Sequence, residues 1–106
     1  MEFIKEANEV YVLDDNGNKI VRATFPFIEE NVINVDHTFV TKELRGQGIA
    51  SNLMNEVYNY AKEKGYTAVA SCPYAVVWFK RNKDKQDIIN TNIEVDEACK
   101  ILWDYT

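Results

Sequence analysis

A glycine-rich segment, Arg45-Gly46-Gln47-Gly48-Ile49-Ala50, lies where a β-like run ends at Val40 and a long amphipathic pattern begins. Glycine adopts backbone angles that other residues avoid and allows close approach, so several N–H groups can turn toward one point. The start of a helix adds unpaired N–H groups and the positive end of its dipole. This combination suits an anion, most often a phosphate. The spacing differs from that of a nucleotide P-loop and from that of a dinucleotide-binding fold.

Cys72 is a candidate nucleophile because of its position in the sequence. It stands between a short apolar run and Pro73, and proline favours the first position of a helix. The dipole at a helix start favours the thiolate, which is the nucleophilic form of cysteine. The alternative is a small buried apolar residue, which is the commonest role of a free cysteine. Cys99, near the end of the chain, is expected only to pack.

His37 is the only histidine of the chain. Histidine titrates near neutral pH, so this residue is a candidate general base toward an amine or toward Cys72. It shares an alternating β-like pattern with Ile33, Val35 and Phe39, which is also typical of a packed histidine that does no chemistry. Both interpretations stay open. One histidine and two distant cysteines do not have the spacing of metal ligands, so no metal site is expected.

Alternation and turn residues predict three strands before the glycine-rich segment. Short turns separate these strands, which favours an antiparallel meander. Pro26 cannot donate to a ladder, so we expect it at a bulge or at an unpaired edge position. The predicted strands span residues 10–13, 19–28 and 32–40.

After the glycines, apolar residues recur at steps of three and four, which predicts a helix over 48–64 that ends at Gly65. Residues 67–71 are nearly all apolar, as in a buried parallel strand, so a right-handed β-α-β crossover is expected. A second helix is predicted over 73–82. The segment 92–105 is either a packed C-terminal helix or half of a dimer contact, so monomer and homodimer both stay open. The predicted fold class is α/β.

The composition limits the classes of protein to which the chain can belong. Its 106 residues, 46% of them hydrophobic, are enough for one domain with a single core. The net charge of -5 argues against nucleic acid as a partner. No apolar run approaches the roughly 18 residues of a membrane span, and the first residues have no signal-peptide pattern. Two cysteines make no disulfide framework, so a reducing cytoplasmic location is expected.

The order of these motifs resembles the acetyl-CoA core of the GNAT superfamily of N-acetyltransferases. Arg45, Gly48 and Ala50 match the superfamily motif Gln/Arg-x-x-Gly-x-Gly/Ala. A closer resemblance is to the very small YidJ-like members, which share an Ile-x-x-Asp/Thr-His-Thr-x-Val pattern, here residues 33–40, and a cysteine after the next strand, here Cys72. The resemblance covers about residues 8–90. It implies one domain with a GNAT-like mixed sheet, in which an antiparallel meander precedes a β-α-β core.

The resemblance also implies an activity. The chain would be an N-acetyltransferase that moves an acetyl group from acetyl-CoA to an amine, with Cys72 and His37 as catalytic residues and Cys72 as a transient acetyl acceptor. The loop amides would hold the CoA pyrophosphate. Candidate partners of the adenosine 3′-phosphate are Lys42, Lys80, Arg81 and Lys83. The implied cofactor-binding residues are Val40, Arg45, Gly46, Gln47, Gly48, Ile49, Ala50 and Ser71.

Two alternatives stay open. One is a CoA-binding or protein-interaction module with little transferase activity, because the elements that cover the acceptor site in longer GNAT enzymes are not recognisable in this sequence. The other is a thiol-dependent module in which Cys72 does the chemistry and CoA is incidental. Tyr74 is either a packing residue or an acid toward the departing CoA thiol, as a tyrosine is in many GNAT enzymes. The sequence does not identify the acceptor.

Overall fold

Seven strands and two helices follow one another in the described part of the chain, residues 2–90 of this computed structural model. The predicted segment 92–105, with Cys99, lies outside the described residues. The elements are β1 (Ile4–Glu6), β2 (Glu9–Leu13), β3 (Lys19–Thr24), β4 (Phe27–Glu29), β5 (Val32–Val35), β6 (His37–Val40), α1 (Ile49–Lys64), β7 (Thr67–Ala70) and α2 (Pro73–Arg81). Short 3₁₀ segments, Lys42–Leu44 and Lys83–Ile88, precede α1 and follow α2.

The strands form two sheets that meet along one stretch of chain. The first sheet is antiparallel with the order β1-β2-β3-β6, and the second has the order β4-β5-β7. A single residue, Asp36, separates β5 from β6, yet β6 pairs with β3 whereas β5 pairs with β4 and, in parallel, with β7. The predicted strand 32–40 is therefore wrong as one element, because its two halves belong to different sheets.

Pro26 explains where the change of sheet occurs. It has no N–H to donate, and it lies between β3 and β4, so the predicted strand 19–28 is also two strands. Because β3 ends at Thr24, its pairing with β6 begins at His37, which lies opposite Thr24. The N–H of Asn34 donates instead to the carbonyl of Pro26, at 2.9 Å, in the smaller sheet. Pro26 thus belongs to neither strand and lies at the join where the chain leaves the first sheet.

Helix α1 packs against both sheets and supplies the centre of the core. Leu53, Met54, Val57 and Ala61 are at most 1% exposed, as the apolar stripe predicts. Full burial of each of the larger side chains is worth about 1.5–3 kcal/mol. The helix ends at Gly65, as predicted, where a left-handed conformation lets the next amides bond to the last turn.

Helix α2 packs against α1 and β7. Trp78 and Phe79 are buried, and the indole N–H of Trp78 donates to the Ser51 hydroxyl at 3.1 Å. After α2, the Asp87 carboxylate accepts hydrogen bonds from Tyr58 and Lys62 of α1, which anchors the second 3₁₀ segment. These contacts hold α2 and the segment after it against α1. No helix within residues 2–90 has the length and apolar character that crossing a membrane requires.

Glu9 links β2 to β3 through hydrogen bonds from Lys19, at 2.9 Å, and from Arg22, at 2.6 Å. Partial burial opposes ionisation of Glu9, but these hydrogen bonds and the two positive charges outweigh it and hold the pKa of the carboxyl below its ordinary value. Ionised Glu9 therefore adds to the free energy of unfolding above the unfolded-state pKa of about 4.3. This contribution is lost as the pH falls through the lower folded-state pKa.

We predict that Glu9→Gln reduces the acid sensitivity of the fold. The variant lacks the titrating carboxyl, so between about pH 7 and about pH 3 it should lose less free energy of unfolding than the unchanged protein. Because both cations are partly exposed, the difference should be about 1 kcal/mol or less. Urea unfolding at the two pH values measures it. Equal losses in the two proteins would contradict the prediction.

Candidate functional site

The strands β5 and β7 run side by side and then separate at one edge of the smaller sheet. Their last pair is Val35 with Ala70. Immediately after it, the N–H groups of Ser71 and Cys72 both donate to the carbonyl of Val35, each at 3.1 Å. Beyond this point β6 follows β3, and the chain after β7 turns into α2. A gap therefore opens between β6 and the end of β7.

The backbone of β6 presents polar groups to this gap. Thr41 donates its N–H to the carbonyl of Ile20, and in an antiparallel ladder alternate residues face the partner strand. The backbone N–H and C=O groups of Phe39 therefore face β3, whereas those of Thr38 and Val40 face away from it. The carbonyl of Val40 accepts a hydrogen bond from Nε of Arg45 at 3.0 Å. The N–H groups of Thr38 and Val40 are left directed toward the gap.

Two glycines of the glycine-rich loop have a left-handed backbone conformation. Gly46 and Gly48 have φ angles of 84° and 76°, in the left-handed region that favours glycine. Gly48 is the N-cap of α1, so no side chain caps the helix, and the first turn contains no acidic residue. The first turn of a helix leaves its N–H groups without backbone partners, and the helix dipole adds a partial positive charge.

A groove of about 280 Å³ lies between the end of β6, the glycine-rich loop and α2. Leu44, Ser51 and Tyr74 contribute to its lining together with six of the predicted cofactor-binding residues. These six are Val40, Arg45, Gly46, Gly48, Ile49 and Ala50. The other two predicted residues, Gln47 and Ser71, do not line the groove. The side-chain amide of Gln47 donates to the carbonyl of Glu43 at 3.4 Å. The hydroxyl of Ser71, which follows β7, donates to the side chain of Asn34 at 3.2 Å. A larger hollow of about 480 Å³ lies along residues 27–31, and no predicted site residue lines it.

Cys72 is the N-cap residue of α2 and is 7% exposed. Pro73 occupies the first turn, as the sequence predicts. The thiol makes no capping hydrogen bond to α2. It lies instead 3.3 Å from Oγ1 of Thr38 on β6, so one hydrogen bond spans the gap between the separating strands.

His37 does not lie with Cys72. Side chains alternate between the faces of a strand, so His37 and Thr38 point to opposite sides of β6, and it is Thr38 that contacts the thiol. His37 is also exposed, so the interpretation as a packed core histidine is wrong. The change of sheet at Asp36 removes it from the buried face of Ile33. Among residues 2–90, no three histidine, cysteine or acidic side chains are grouped as metal ligands.

Comparison with known families assigns the chain to a family and supports the fold. The family described as GCN5-related N-acetyl-transferase matches residues 9–88. The chain belongs to this family. A GCN5-like protein from Staphylococcus aureus, solved by NMR in solution, is 33% identical over 90% of this chain and 92% of its own, with a TM-score of 0.70. The predicted GNAT family and the mixed α/β fold are confirmed.

More distant GNAT structures share the fold alone. Tetrahymena GCN5 is 15% identical, with a TM-score of 0.59, over 85% of this chain and 62% of its own. A ribosomal-protein-alanine N-acetyltransferase from Brucella melitensis is 23% identical, with a TM-score of 0.52, and the match covers 83% of this chain and 64% of that protein. The chain thus spans less than two thirds of these two proteins. Comparison with curated proteins gave no match. GNAT enzymes use acetyl-CoA as co-substrate, and this chain is an acetyltransferase domain of that family.

Tyr74 of this GNAT domain lies in the groove. Its side chain is half-buried, and it is one residue beyond the proline of α2. Burial raises the pKa of Tyr74, and the positive charge of Arg81 partly opposes this effect. The phenol therefore stays protonated at neutral pH and can donate a proton or a hydrogen bond to a group in the groove. The sequence pattern alone left this tyrosine between packing and chemistry.

We predict that Tyr74 titrates above the ordinary tyrosine value of about 10. Subtracting the alkaline absorbance titration of Tyr74→Phe from that of the unchanged protein isolates this phenol. Arg81→Gln should move the midpoint of the isolated titration to higher pH, because it removes the charge that favours the phenolate. A Tyr74 midpoint at or below the ordinary value would contradict the buried placement.

Proposed function

We propose that this GNAT domain catalyses transfer of an acetyl group from acetyl-CoA to an amine acceptor, with Cys72 as the residue that carries the acetyl group. One observation supports the proposal most directly. Strand β6 connects the features of the candidate site: its Thr38 contacts the Cys72 thiol across the gap, and its Val40 lines the groove together with the glycine-rich loop. Polar backbone groups, an anion site and a nucleophile are the three features that an acyl thioester with a pyrophosphate needs.

The pyrophosphate of acetyl-CoA binds at the start of α1. There the amides that follow Gly46 and Gly48 donate to phosphate oxygens, and the helix dipole favours their negative charge. Arg45 is exposed, and its Nε is held by the Val40 carbonyl, so the rest of the guanidinium stays available for a charge-assisted contact. Gln47 lies between the two glycines and supplies a further backbone amide.

The pantetheine arm follows the gap toward Cys72. Its amide groups pair with the N–H groups of Thr38 and Val40, which within residues 2–90 have no strand on that side because β6 and β7 have separated. Ser71, at the end of β7, borders the gap on the other side. This path leads from the loop to the Cys72 thiol and brings the thioester to the nucleophile.

Two acyl transfers complete the reaction. In the first, the Cys72 thiolate attacks the thioester carbon, a new carbon–sulfur bond forms, and the bond to the CoA sulfur breaks. The CoA thiolate takes that electron pair and accepts a proton, for which Tyr74 in the groove is the candidate donor, and the phenol regains its proton from solvent. In the second, the neutral amine attacks the acetyl-cysteine carbon, the bond to the Cys72 sulfur breaks, and the nitrogen loses one proton to solvent as the Cys72 thiolate re-forms. His37 points to the opposite face of β6 from the contact with Cys72, so no step of this route is assigned to it.

We also place the chain among the very small YidJ-like GNAT proteins. The motif 33–40 and the cysteine after β7 support this assignment, and so does the match to 92% of the Staphylococcus aureus protein, which is therefore of similar size. We infer a cytoplasmic location from the two cysteines, which make no disulfide framework.

We predict that acetyl-CoA stabilises the domain through the glycine-rich loop. Ligand at about 100 times its dissociation constant should add roughly 2.7 kcal/mol and raise the melting temperature by on the order of 10 °C. Gly48→Ala should lower the affinity about tenfold, since the loop amides would no longer converge on the pyrophosphate. Thermal unfolding with acetyl-CoA, and with adenosine as the control ligand, measures both effects.

Gly65→Ala is the matched control for this loop variant. Gly65 has a φ of 75°, close to the 76° of Gly48, and at both positions a Cβ would have no atom within 4 Å. Each alanine should therefore cost about 1–2 kcal/mol of backbone strain, but only Gly48 lies in the groove. Equal acetyl-CoA affinities in the two variants would show that the loop is an ordinary turn. Failure of the unchanged protein to bind acetyl-CoA would remove the proposed function.

We predict that Cys72 becomes acetylated during turnover. Incubation with acetyl-CoA without an amine should add one acetyl group, detected by intact-mass spectrometry, and a reactive amine should remove it. Cys72→Ser should lose the adduct and reduce turnover by on the order of a hundredfold or more. Cys99→Ser, which changes the other cysteine, is the control and should retain both. Unchanged turnover in Cys72→Ser would contradict the covalent route, and binding without turnover on an amine panel would favour the CoA-binding module.

A further inference from the structure

The Cys72 thiol has one hydrogen-bonding partner among residues 2–90, and that partner comes from a distant part of the sequence. Oγ1 of Thr38 lies 3.3 Å from Sγ of Cys72, although 34 residues separate the two. The titratable groups on the adjoining elements are differently placed. His37 is on the opposite face of β6, while Tyr74 and Arg81 of α2 interact electrostatically with each other. None of these three is hydrogen-bonded to the thiol.

Both sides of this contact are fixed by the backbone. Thr38 lies in the ladder between β3 and β6, and its β-branched side chain has restricted χ1 freedom. Cys72 is fixed on its own side, because its N–H donates to the Val35 carbonyl and its carbonyl accepts from Val76 at 3.0 Å. The hydroxyl is thus held at a defined position next to a sulfur that is almost completely buried.

A hydroxyl suits both ionisation states of a thiol. It accepts a hydrogen bond from S–H in the neutral form, and it donates O–H to sulfur after the proton has left. Because the sulfur is almost completely buried, water does not easily take the place of this hydroxyl as a hydrogen-bond partner. The isosteric side chain of valine fills the same space but provides no donor.

We propose that Thr38 is the positioning residue for Cys72. Its hydroxyl directs the thiol across the gap between β6 and β7 and stabilises the thiolate that attacks the thioester. The inference rests on the covalent route proposed above, but its effect on the thiol is independent of acetyl-CoA. Thr38 acts through Cys72 and takes part in no bond that is made or broken.

The test is the pH dependence of Cys72 alkylation by iodoacetamide, measured in a Cys99→Ser background so that one thiol reacts. Thr38→Val should move the midpoint of the rate profile up by about one pH unit and slow alkylation at neutral pH about tenfold. Thr38→Ser, which keeps the hydroxyl, should restore most of the rate. Acetyl transfer to an amine should follow the same order, with kcat changed more than KM.

Two controls separate this proposal from the others. Acetyl-CoA affinity is measured on the same variants by thermal shift, so loss of binding in the unchanged protein would remove the proposed function while the alkylation profile still tests Thr38. Circular dichroism monitors folding, and Thr38→Ala replaces Thr38→Val if the latter does not fold. An alkylation profile of Thr38→Val or Thr38→Ala that coincides with that of the unchanged protein would overturn the proposal.

Discussion

The carbonyl of Val35 accepts hydrogen bonds from two successive amides, those of Ser71 and Cys72, and the rest of the site depends on this interaction. It ends the parallel pairing of β5 with β7 and leaves the next residues of each chain free to diverge. On one side Asp36 directs β6 toward β3, and on the other the chain turns into α2. The gap that follows has polar backbone on its β6 side and a thiol at its inner end. A sheet that continued in register would pair these groups with one another and would leave no room for a ligand.

The start of α1 shows a balance between stability and binding. Serine or aspartate at the N-cap would satisfy a first-turn amide and would stabilise the helix by about 1 kcal/mol. Gly48 occupies that position and offers no side-chain oxygen, so the amides of the first turn are available to an external anion. Gly65, at the other end of the same helix, has almost the same φ but serves only to end it. Equivalent backbone conformations therefore end the helix at one terminus and, in the function that we propose, leave amides for an anion at the other.

Local patterns were sufficient to predict the elements that carry the site. The apolar stripe of α1, its end at Gly65 and the proline that begins α2 depend on neighbouring residues, and each was predicted correctly. Strand β1 was missed, because three residues are too few for alternation to be seen. The division of 32–40 into two strands was also missed. Periodicity reports which residues share a face, but it does not identify the strand that each half pairs with. For the same reason, neither the exposed position of His37 nor the contact between Thr38 and Cys72 could be predicted from the sequence.

The burial of Cys72 bears on the covalent route that we propose. A sulfur that is 7% exposed is protected from solvent, so an acetyl group carried there would be shielded from hydrolysis. Two uncharged groups lie next to this sulfur: the start of α2, of which Cys72 is the N-cap, and the hydroxyl of Thr38. Neither brings a charge that would have to be desolvated, so both are compatible with a sulfur that stays out of solvent. The separating strands, the helix start and the hydroxyl therefore meet at the point where the proposed route places the nucleophile.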